Sequence, residues 1–313
     1  PNSISSEIIF KSWKLRNQYS FKPLIIIGSL KLLNLQKKRL GYNLKIKKIE
    51  NNFLPKQYNK NELLVYDVKY TQRKPFQKIT TKSNNYIFNC FNTSINLMKN
   101  KKILGVINCP VAKETLFKNK HQGITEYLSK KTGNLGKETM LIYNKKLSVS
   151  PLTTHVQLKE INKKIKKYRI INNIKNINNF YRKNFNKKPV IGVLGLNPHN
   201  YYPSNKKNEF ETIKSAIKTV KKFKIKVIGP ISPDTSFMLY KKYGLDVIVG
   251  MYHDQVLTPF KALFQYEAIN ITLGLPYIRI SPDHGVAEDI VGKNIANPNS
   301  LIYSIKFFNY INK

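Results

Sequence analysis

Short apolar runs rich in β-branched residues recur along this chain, and each one stops at a glycine or an asparagine. Four of them cover residues 22–27, 103–107, 190–196 and 247–249. Stretches with helical periodicity separate the runs. Strands that alternate with helices form βαβ units, in which neighbouring strands run parallel. The sequence therefore predicts an α/β fold built around a largely parallel sheet.

Polar residues follow the run at 247–249 almost at once, because residues 253–255 are a histidine, an aspartate and a glutamine. Two further polar clusters, within residues 270–276 and 281–285, each come after another apolar run. In open α/β sheets, ligands bind outside the carboxyl ends of the strands. We therefore expect three strand-end loops to converge on one edge of the sheet.

The length of 313 residues favours two domains. The longest apolar run near the start, residues 24–27, is too short for a membrane span or a signal peptide. Cys90 and Cys109 are the two cysteines, and neither has a second cysteine at metal-ligand spacing. This excludes a disulfide framework and fits a reducing compartment. We expect a soluble cytoplasmic protein without a membrane partner.

The formal net charge of +38 raises the possibility of a nucleic-acid-binding protein. The lysines, however, are spread over the whole length together with asparagine and isoleucine, as in residues 159–167 and 174–179. All three residue types have A/T-rich codons, so base drift in the genome produces this composition without a binding function. We favour drift and predict no nucleic-acid partner, and the basic nucleic-acid-binding protein stays as the alternative from another class.

Four of the five histidines come directly after a predicted strand. They are His155, His199, His253 and His284, and none of them lies on an apolar helix face. Three neutral imidazoles together with a water or a substrate form an open catalytic metal site of the kind that zinc occupies. No local signature such as HExxH is present. The residues by themselves thus indicate a metal-assisted enzyme.

Several segments then identify a resemblance that extends over essentially the whole chain. They are Met-Tyr-His-Asp-Gln at 251–255, Pro-Phe-Lys at 259–261, Asn-Ile-Thr-Leu-Gly-Leu-Pro at 270–276, Ser-Pro-Asp-His-Gly at 281–285, Thr-Thr-His at 153–155 and Gly-Leu-Asn-Pro-His at 195–199. Taken in their order along the chain, these segments closely resemble the 4-hydroxythreonine-4-phosphate dehydrogenase family of vitamin B6 biosynthesis. Residues 1–8 resemble the remnant of the GDPxGIGPEI segment of that family.

The resemblance implies a divalent metal, either zinc, magnesium or cobalt, that is shared between the two subunits of a homodimer. It assigns the metal to His155, His199 and His253. It also implies a small phosphorylated substrate, for which lysine and arginine are suitable anion partners. The positions that match the substrate site are Ile124, Thr125, Lys261, Asn270 and Arg279. No residue is assigned as the catalytic acid or base.

The reaction implied by the resemblance is NAD- or NADP-dependent oxidation of 4-phosphohydroxy-L-threonine, followed by decarboxylation. The chain has no GxGxxG, so a Rossmann cofactor site is unsupported. Residues 284–290 and 295–298 are instead similar to the adenosine-binding loop of isocitrate and isopropylmalate dehydrogenases. The cofactor residues that follow from this similarity are His284, Gly285, Asp289 and Asn297.

That wider group implies two α/β/α domains with a largely parallel mixed sheet and an active site in the cleft between them. We expect one domain to contain residues 1–125 and 265–313, including the cofactor loop. The other contains residues 126–264, with the metal-ligand histidines and the dimer interface.

Three departures from the family pattern matter, and the first two favour an alternative, an inactive family member. Ile124 replaces a substrate-binding histidine, the segment 200–208 lacks the family's glycines, and the first strand is absent. The loss of one charged hydrogen bond costs about 1.5–3 kcal/mol, which weakens binding without removing the chemistry. Since all three predicted metal ligands are retained, we favour an active enzyme.

Overall fold

The computed structural model describes most of the chain, and the structural statements below refer to that part. It covers residues 1–19, 22–50, 58–100, 102–118, 123–200, 209–265, 267–282 and 285–311. Two compact units are present: residues 1–123 with 280–313 form the first, and residues 124–279 form the second.

Eleven strands and eleven α-helices occur within the described ranges. The strands are β1 (Ile25–Gly28), β2 (Lys45–Ile49), β3 (Glu62–Asp67), β4 (Gly105–Ile107), β5 (Thr139–Tyr143), β6 (Ser148–Pro151), β7 (Ile191–Leu194), β8 (Val227–Ile231), β9 (Val247–Gly250), β10 (Ile269–Leu273) and β11 (Ile278–Ser281). The helices are α1 (Ser5–Lys14), α2 (Leu30–Arg39), α3 (Asn84–Lys99), α4 (Lys113–Phe117), α5 (Ile124–Lys131), α6 (Ile161–Lys164), α7 (Lys167–Phe185), α8 (Glu209–Lys221), α9 (Pro233–Leu239), α10 (His253–Phe264) and α11 (Asn299–Tyr310).

The first unit contains a parallel sheet with the strand order β1-β3-β2. The Ser29 side chain caps α2 by accepting a hydrogen bond from the backbone N–H of Leu32 at 3.3 Å. Phe10 and Trp13 of α1 pack with Leu63 of β3 in one buried cluster. β1 confirms the strand predicted at 22–27, and α2 confirms the helix that follows it.

The first unit also encloses a cavity of about 640 Å³. The walls of this cavity include all of β1 and β4, which are the end strands of their sheets. Cys90 and Cys109 line it as well, and both are free thiols. Because their surroundings are largely apolar, burial raises the pKa of Cys90 to about 11 and that of Cys109 to about 12.

Both thiols are therefore expected to resist alkylation at pH 8. Only the thiolate is nucleophilic, and these pKa values leave about 0.1% of it or less at that pH. Iodoacetamide should modify the folded protein at least about a hundredfold more slowly than the same protein in denaturant. Mass spectrometry of timed samples measures both rates, and equal rates would contradict the assigned burial.

The second unit has six strands in the order β10-β5-β6-β9-β7-β8. The neighbouring strands β6, β9, β7 and β8 all run parallel. β5, in contrast, pairs antiparallel with both β6 and β10. The core beneath α10 contains Val149, Ile248, Val256 and Phe260, all fully buried. Strands covered on both faces are typically continuous apolar runs, which explains why Val247–Gly250 was recognisable from sequence.

The predicted α/β class with a largely parallel mixed sheet is confirmed. Within the described ranges, no helix has the length and apolar character needed to cross a lipid bilayer.

Candidate active site

Three neighbouring parallel strands of the second unit precede the three histidines predicted as metal ligands. β9 lies between β6 and β7, and at the carboxyl ends Pro151 of β6 pairs with Gly250 of β9. His155, His253 and His199 come a few residues after β6, β9 and β7 respectively. The loops that carry them consequently begin at the same edge of one sheet.

Backbone and side-chain hydrogen bonds tie the loops after β6 and β9 together. The backbone N–H of Leu152 donates to the carbonyl oxygen of Gly250 at 2.8 Å. The hydroxyl of Thr153 donates to the carbonyl oxygen of Met251 at 2.8 Å. These bonds continue the strand pairing beyond the sheet, so that His155 and His253 start from linked segments.

Gln255 connects the loop after β9 to the loop after β7. Its Oε1 accepts a hydrogen bond from the backbone N–H of Met251 at 2.7 Å, and its Nε2 donates to the carbonyl oxygen of Gly195 at 2.9 Å. This arrangement requires glycine at position 250. A Cβ atom there would lie 2.9 Å from Gln255 Oε1 and 2.5 Å from a methyl carbon of Val256.

His253 is the first residue of α10, and its ring is oriented by the next side chain. Its Nδ1 lies 2.6 Å from Oδ1 of Asp254. Donation from Nδ1–H to this carboxylate leaves the lone pair on Nε2, which is the arrangement that metal-binding histidines use. His155 and His253 line one cavity of about 490 Å³, together with polar groups of Thr154 and Tyr252.

His199 lies outside that cavity. Its side chain is 78% exposed, and its Nδ1 is 3.5 Å from Oδ2 of Asp234 at the start of α9. A hydrogen bond from the hydroxyl of Ser232 lowers the pKa of Asp234, with a smaller contribution from His199. No group of three His, Cys, Asp or Glu side chains in the described part of this single chain is arranged to hold a metal ion.

The second unit also contains a buried guanidinium. Arg279 of β11 is 4% exposed, and its Nη1 donates to Oγ1 of Thr272 at 2.9 Å and to Oγ1 of Thr125 at 3.2 Å. Burial lowers the pKa of Arg279 to about 10, while the negative charge of Glu126 acts in the opposite direction. The group is consequently still protonated at neutral pH and is suited to an anionic ligand.

Thr125 and Arg279, both predicted as substrate residues, are thus in direct contact. Thr272 was missed, although strand alternation places it on the same face of β10 as Asn270, which is half-buried. Lys261 is exposed on α10. Ile124 opens α5 with its side chain 4% exposed, so the residue that replaces the family's histidine is packed in the core.

Three of the four predicted cofactor residues lie in the described part of the first unit. Gly285, Asp289 and Asn297 are all exposed. His284 lies outside the described residues, as do residues 201–208 of the segment after β7.

Comparisons with known proteins agree on one family. The model of the family described as "Pyridoxal phosphate biosynthetic protein PdxA" matches residues 20–308. A 4-hydroxythreonine-4-phosphate dehydrogenase from a Sulfurihydrogenibium species is 37% identical, with 98% of this chain and 94% of that protein covered. A putative D-threonate 4-phosphate dehydrogenase from Oceanobacillus iheyensis is 33% identical, with coverages of 96% and 92%.

The fold agrees as well. A crystal structure of 4-hydroxythreonine-4-phosphate dehydrogenase from Klebsiella pneumoniae superposes with a TM-score of 0.86 at 27% identity. The match covers 98% of this chain and 96% of that one. The elements that carry the candidate site are therefore those of a known enzyme fold.

Proposed function

Because the chain belongs to the family of the pyridoxal phosphate biosynthetic protein PdxA, we propose that it oxidises 4-phosphohydroxy-L-threonine with NAD or NADP. The secondary alcohol loses a hydride to the nicotinamide and a proton, and the resulting β-keto acid loses carbon dioxide to give 3-amino-2-oxopropyl phosphate. The observation that carries this proposal is the cavity lined by both His155 and His253 at the strand ends. Since both cysteines are free, the cytoplasm is the proposed location.

The phosphorylated substrate calls for cationic partners in the second unit. Arg279 keeps its charge at neutral pH, and the hydroxyls of Thr125 and Thr272 hold its guanidinium in one orientation. An oriented guanidinium can bind a phosphate or carboxylate through two parallel hydrogen bonds. Lys261 and Asn270 are the other proposed contacts, one as a second cation and the other as an amide that fixes the orientation of the substrate.

The donor set suits a divalent cation that is completed by a second copy of the chain. His155 and His253 face one cavity, and the carboxylate of Asp254 orients His253. His199 lies outside the cavity, so we propose that the same histidine of a second copy is the third ligand. When bound, such a cation supplies Lewis-acid polarisation of the substrate hydroxyl and of the developing enolate.

A second candidate substrate is D-threonate 4-phosphate, which has a hydroxyl in place of the amino group. The relative from Oceanobacillus iheyensis supports it. The apolar, buried side chain of Ile124 offers no hydrogen bond to a polar substrate group. The two candidates share the phosphate, carboxylate and alcohol, so the anion and metal sites serve both.

The decisive experiment measures NADH formation by the purified protein with each of the two substrates. Zinc, cobalt or magnesium is added after treatment with EDTA, and NADP replaces NAD in parallel reactions. We expect metal-dependent turnover with 4-phosphohydroxy-L-threonine to exceed that with D-threonate 4-phosphate. Faster turnover of the second substrate would favour the second candidate, and a folded protein without turnover on either would favour the inactive family member.

We also predict a homodimer, since the described part of one chain does not bring three metal ligands together. Light scattering of the metal-loaded protein should give about twice the chain mass of 36.4 kDa. Mixing His199→Ala protein with His155→Ala protein should restore part of the activity, because hybrid dimers contain one intact site. A fully active monomer would contradict the prediction.

A further inference from the structure

A buried carboxylate holds the segment that carries His199. Glu209 is the first residue of α8 and is 8% exposed, and its Oε1 accepts a hydrogen bond from Nδ2 of Asn197 at 3.1 Å. Glutamate is rarely buried without a partner, and the first turn of a helix is a favourable place for its charge. The amide that Glu209 binds lies two residues before the histidine.

Side chains from two other elements hold the same segment. Nε2 of Gln255 in α10 donates to the carbonyl oxygen of Leu196 at 3.4 Å. On the far side of His199, Nδ2 of Asn200 donates to the carbonyl oxygen of Pro230 in β8 at 3.2 Å. The backbone is therefore fastened both before and after the histidine.

The backbone between these contacts has an uncommon conformation. His199 has a φ of 52°, and Asn200 has a φ of 53°. Left-handed residues other than glycine are uncommon and ordinarily occur singly. Such a backbone persists where the surrounding contacts determine it. The hydrogen bonds of Glu209, Gln255 and Asn200 supply those contacts.

This backbone directs the side chain of His199 away from the cavity that His155 and His253 line. The side chain is 78% exposed, and its Nδ1 is 3.5 Å from Oδ2 of Asp234. An imidazole that is both exposed and held in place is available to a second copy of the chain rather than to its own cavity. The separation of His199 from the other two histidines thus follows from hydrogen bonds that form when the second unit folds.

We propose that Glu209 is a positioning residue, which fixes the orientation of His199 and so prepares it to bind the divalent cation in the site of a second copy. This inference rests on the proposed function, in which two copies share the cation site. Metal ligands depend on the groups that orient them, and loss of such a group lowers metal affinity by about 10- to 100-fold. Glu209 acts through the backbone, because its bond to Asn197 sets the path of the chain into residue 199.

The test places Glu209→Ala in hybrid dimers that contain one intact site. The His155→Ala chain contributes His199 to that site, and the His199→Ala chain contributes His155 and His253. We expect Glu209→Ala on the His155→Ala chain to lower the zinc affinity of the hybrid about 10- to 100-fold. On the His199→Ala chain, the same change should leave the affinity unaltered. Different affinity tags on the two chains isolate the hybrid, and calorimetric titration with zinc after EDTA treatment measures the affinity without turnover.

Control variants separate positioning from general stability. Glu211→Ala is the matched control, because the side chain of Glu211 is 62% exposed on the same helix, and it should leave zinc affinity unchanged on either chain. Glu209→Gln keeps an oxygen that can accept from Asn197 and should recover part of the affinity. If the Glu209→Ala protein fails to fold, Asn197→Ala removes the other partner of the same bond and should show the same dependence on which chain carries it.

The outcomes distinguish this inference from the function on which it rests. An equal loss of zinc affinity with Glu209→Ala on either chain would show a structural role and overturn the positioning role, as would an unchanged affinity on both. The shared metal site would then stand. His155→Ala and His199→Ala chains that form no zinc-binding hybrid would overturn the shared site and this inference with it.

Discussion

The His253→Ala protein is expected to be purified without a divalent cation and to turn over about a thousandfold more slowly than the wild type. His253 is the predicted ligand whose orientation is best defined, because Asp254 binds its Nδ1 and it shares a cavity with His155. A catalytic metal supplies several kcal/mol of transition-state stabilisation, which corresponds to a rate factor of this size. Elemental analysis and NADH formation on the same preparation measure both effects.

His284→Ala is the matched control for this variant. Since His284 resembles the first residue of an adenosine-binding loop, its removal should leave the metal content intact and raise KM for NAD by about tenfold. His155→Ala should behave like His253→Ala. A His284→Ala protein without metal, combined with a His155→Ala protein that keeps it, would reverse our assignment of the two sites.

Replacement of Arg279 by methionine is expected to raise KM for the phosphorylated substrate about a hundredfold while KM for NAD stays constant. The guanidinium is the buried cation of the second unit that Thr125 and Thr272 orient. A bidentate charged contact contributes about 2–3 kcal/mol. Arg279→Lys should recover only part of the loss, since an ammonium group cannot reproduce the planar fork.

The pH dependence gives an independent check on Arg279. Burial lowers its pKa to about 10, so the group is charged at neutral pH and loses its proton as the pH rises through 10. Affinity for a phosphorylated substrate analogue should therefore be constant from pH 7 to about 9 and fall above that range. In Arg279→Met the fall should disappear. An identical fall in both proteins would assign it to another group.

Thr272→Val separates binding from stability. This change removes one hydroxyl contact but leaves the charge, so we expect a smaller rise in KM and a loss of about 1 kcal/mol in unfolding free energy. Thermal melts of the Arg279→Met, Arg279→Lys and Thr272→Val proteins show whether a binding defect reflects a misfolded second unit.

The sequence was most informative where burial imposes a simple pattern. The run that forms β9 is apolar throughout because both faces of the sheet are covered. Gly250 at its end lies at the edge of the sheet where the candidate site begins. Residues 43–81 lacked a clear period. The strands β2 and β3 lie there. β2 is an end strand of its sheet and reads Lys-Ile-Lys-Lys-Ile, so its sequence does not alternate regularly.

Helix α10 was missed for a different reason. Pro259 lies inside it, and proline ordinarily ends a helix. The sequence therefore predicted only a strand-end loop at residues 253–255. The acidic residue Asp254 in its first turn was the available start signal. Helix α9 had a similar signal in Pro233 at its first position. The position of His253 as the first residue of a helix therefore came only from the structure.

Which residues meet in space was harder to predict than which strands they follow. The contact of Arg279 with Thr125 joins positions far apart in sequence, and a lone threonine carries no pattern that indicates such a partner. The separation of His199 from the other two histidines was equally hidden, since each follows a strand of the same sheet. Strand periodicity fixes which edge a residue occupies, but loop conformation fixes which neighbour it contacts.

The two hydrogen bonds of Gln255 affect whether the entropy cost of ordering the candidate site arises during folding or during ligand binding. They link the segments after β9 and β7, so these segments lose their conformational entropy during folding rather than when a ligand arrives. A site ordered in advance binds more tightly than a mobile one with identical ligands. The affinity of the proposed metal site is consequently coupled to local stability at Gln255, which is not among the proposed ligands, and selection on one property constrains the other.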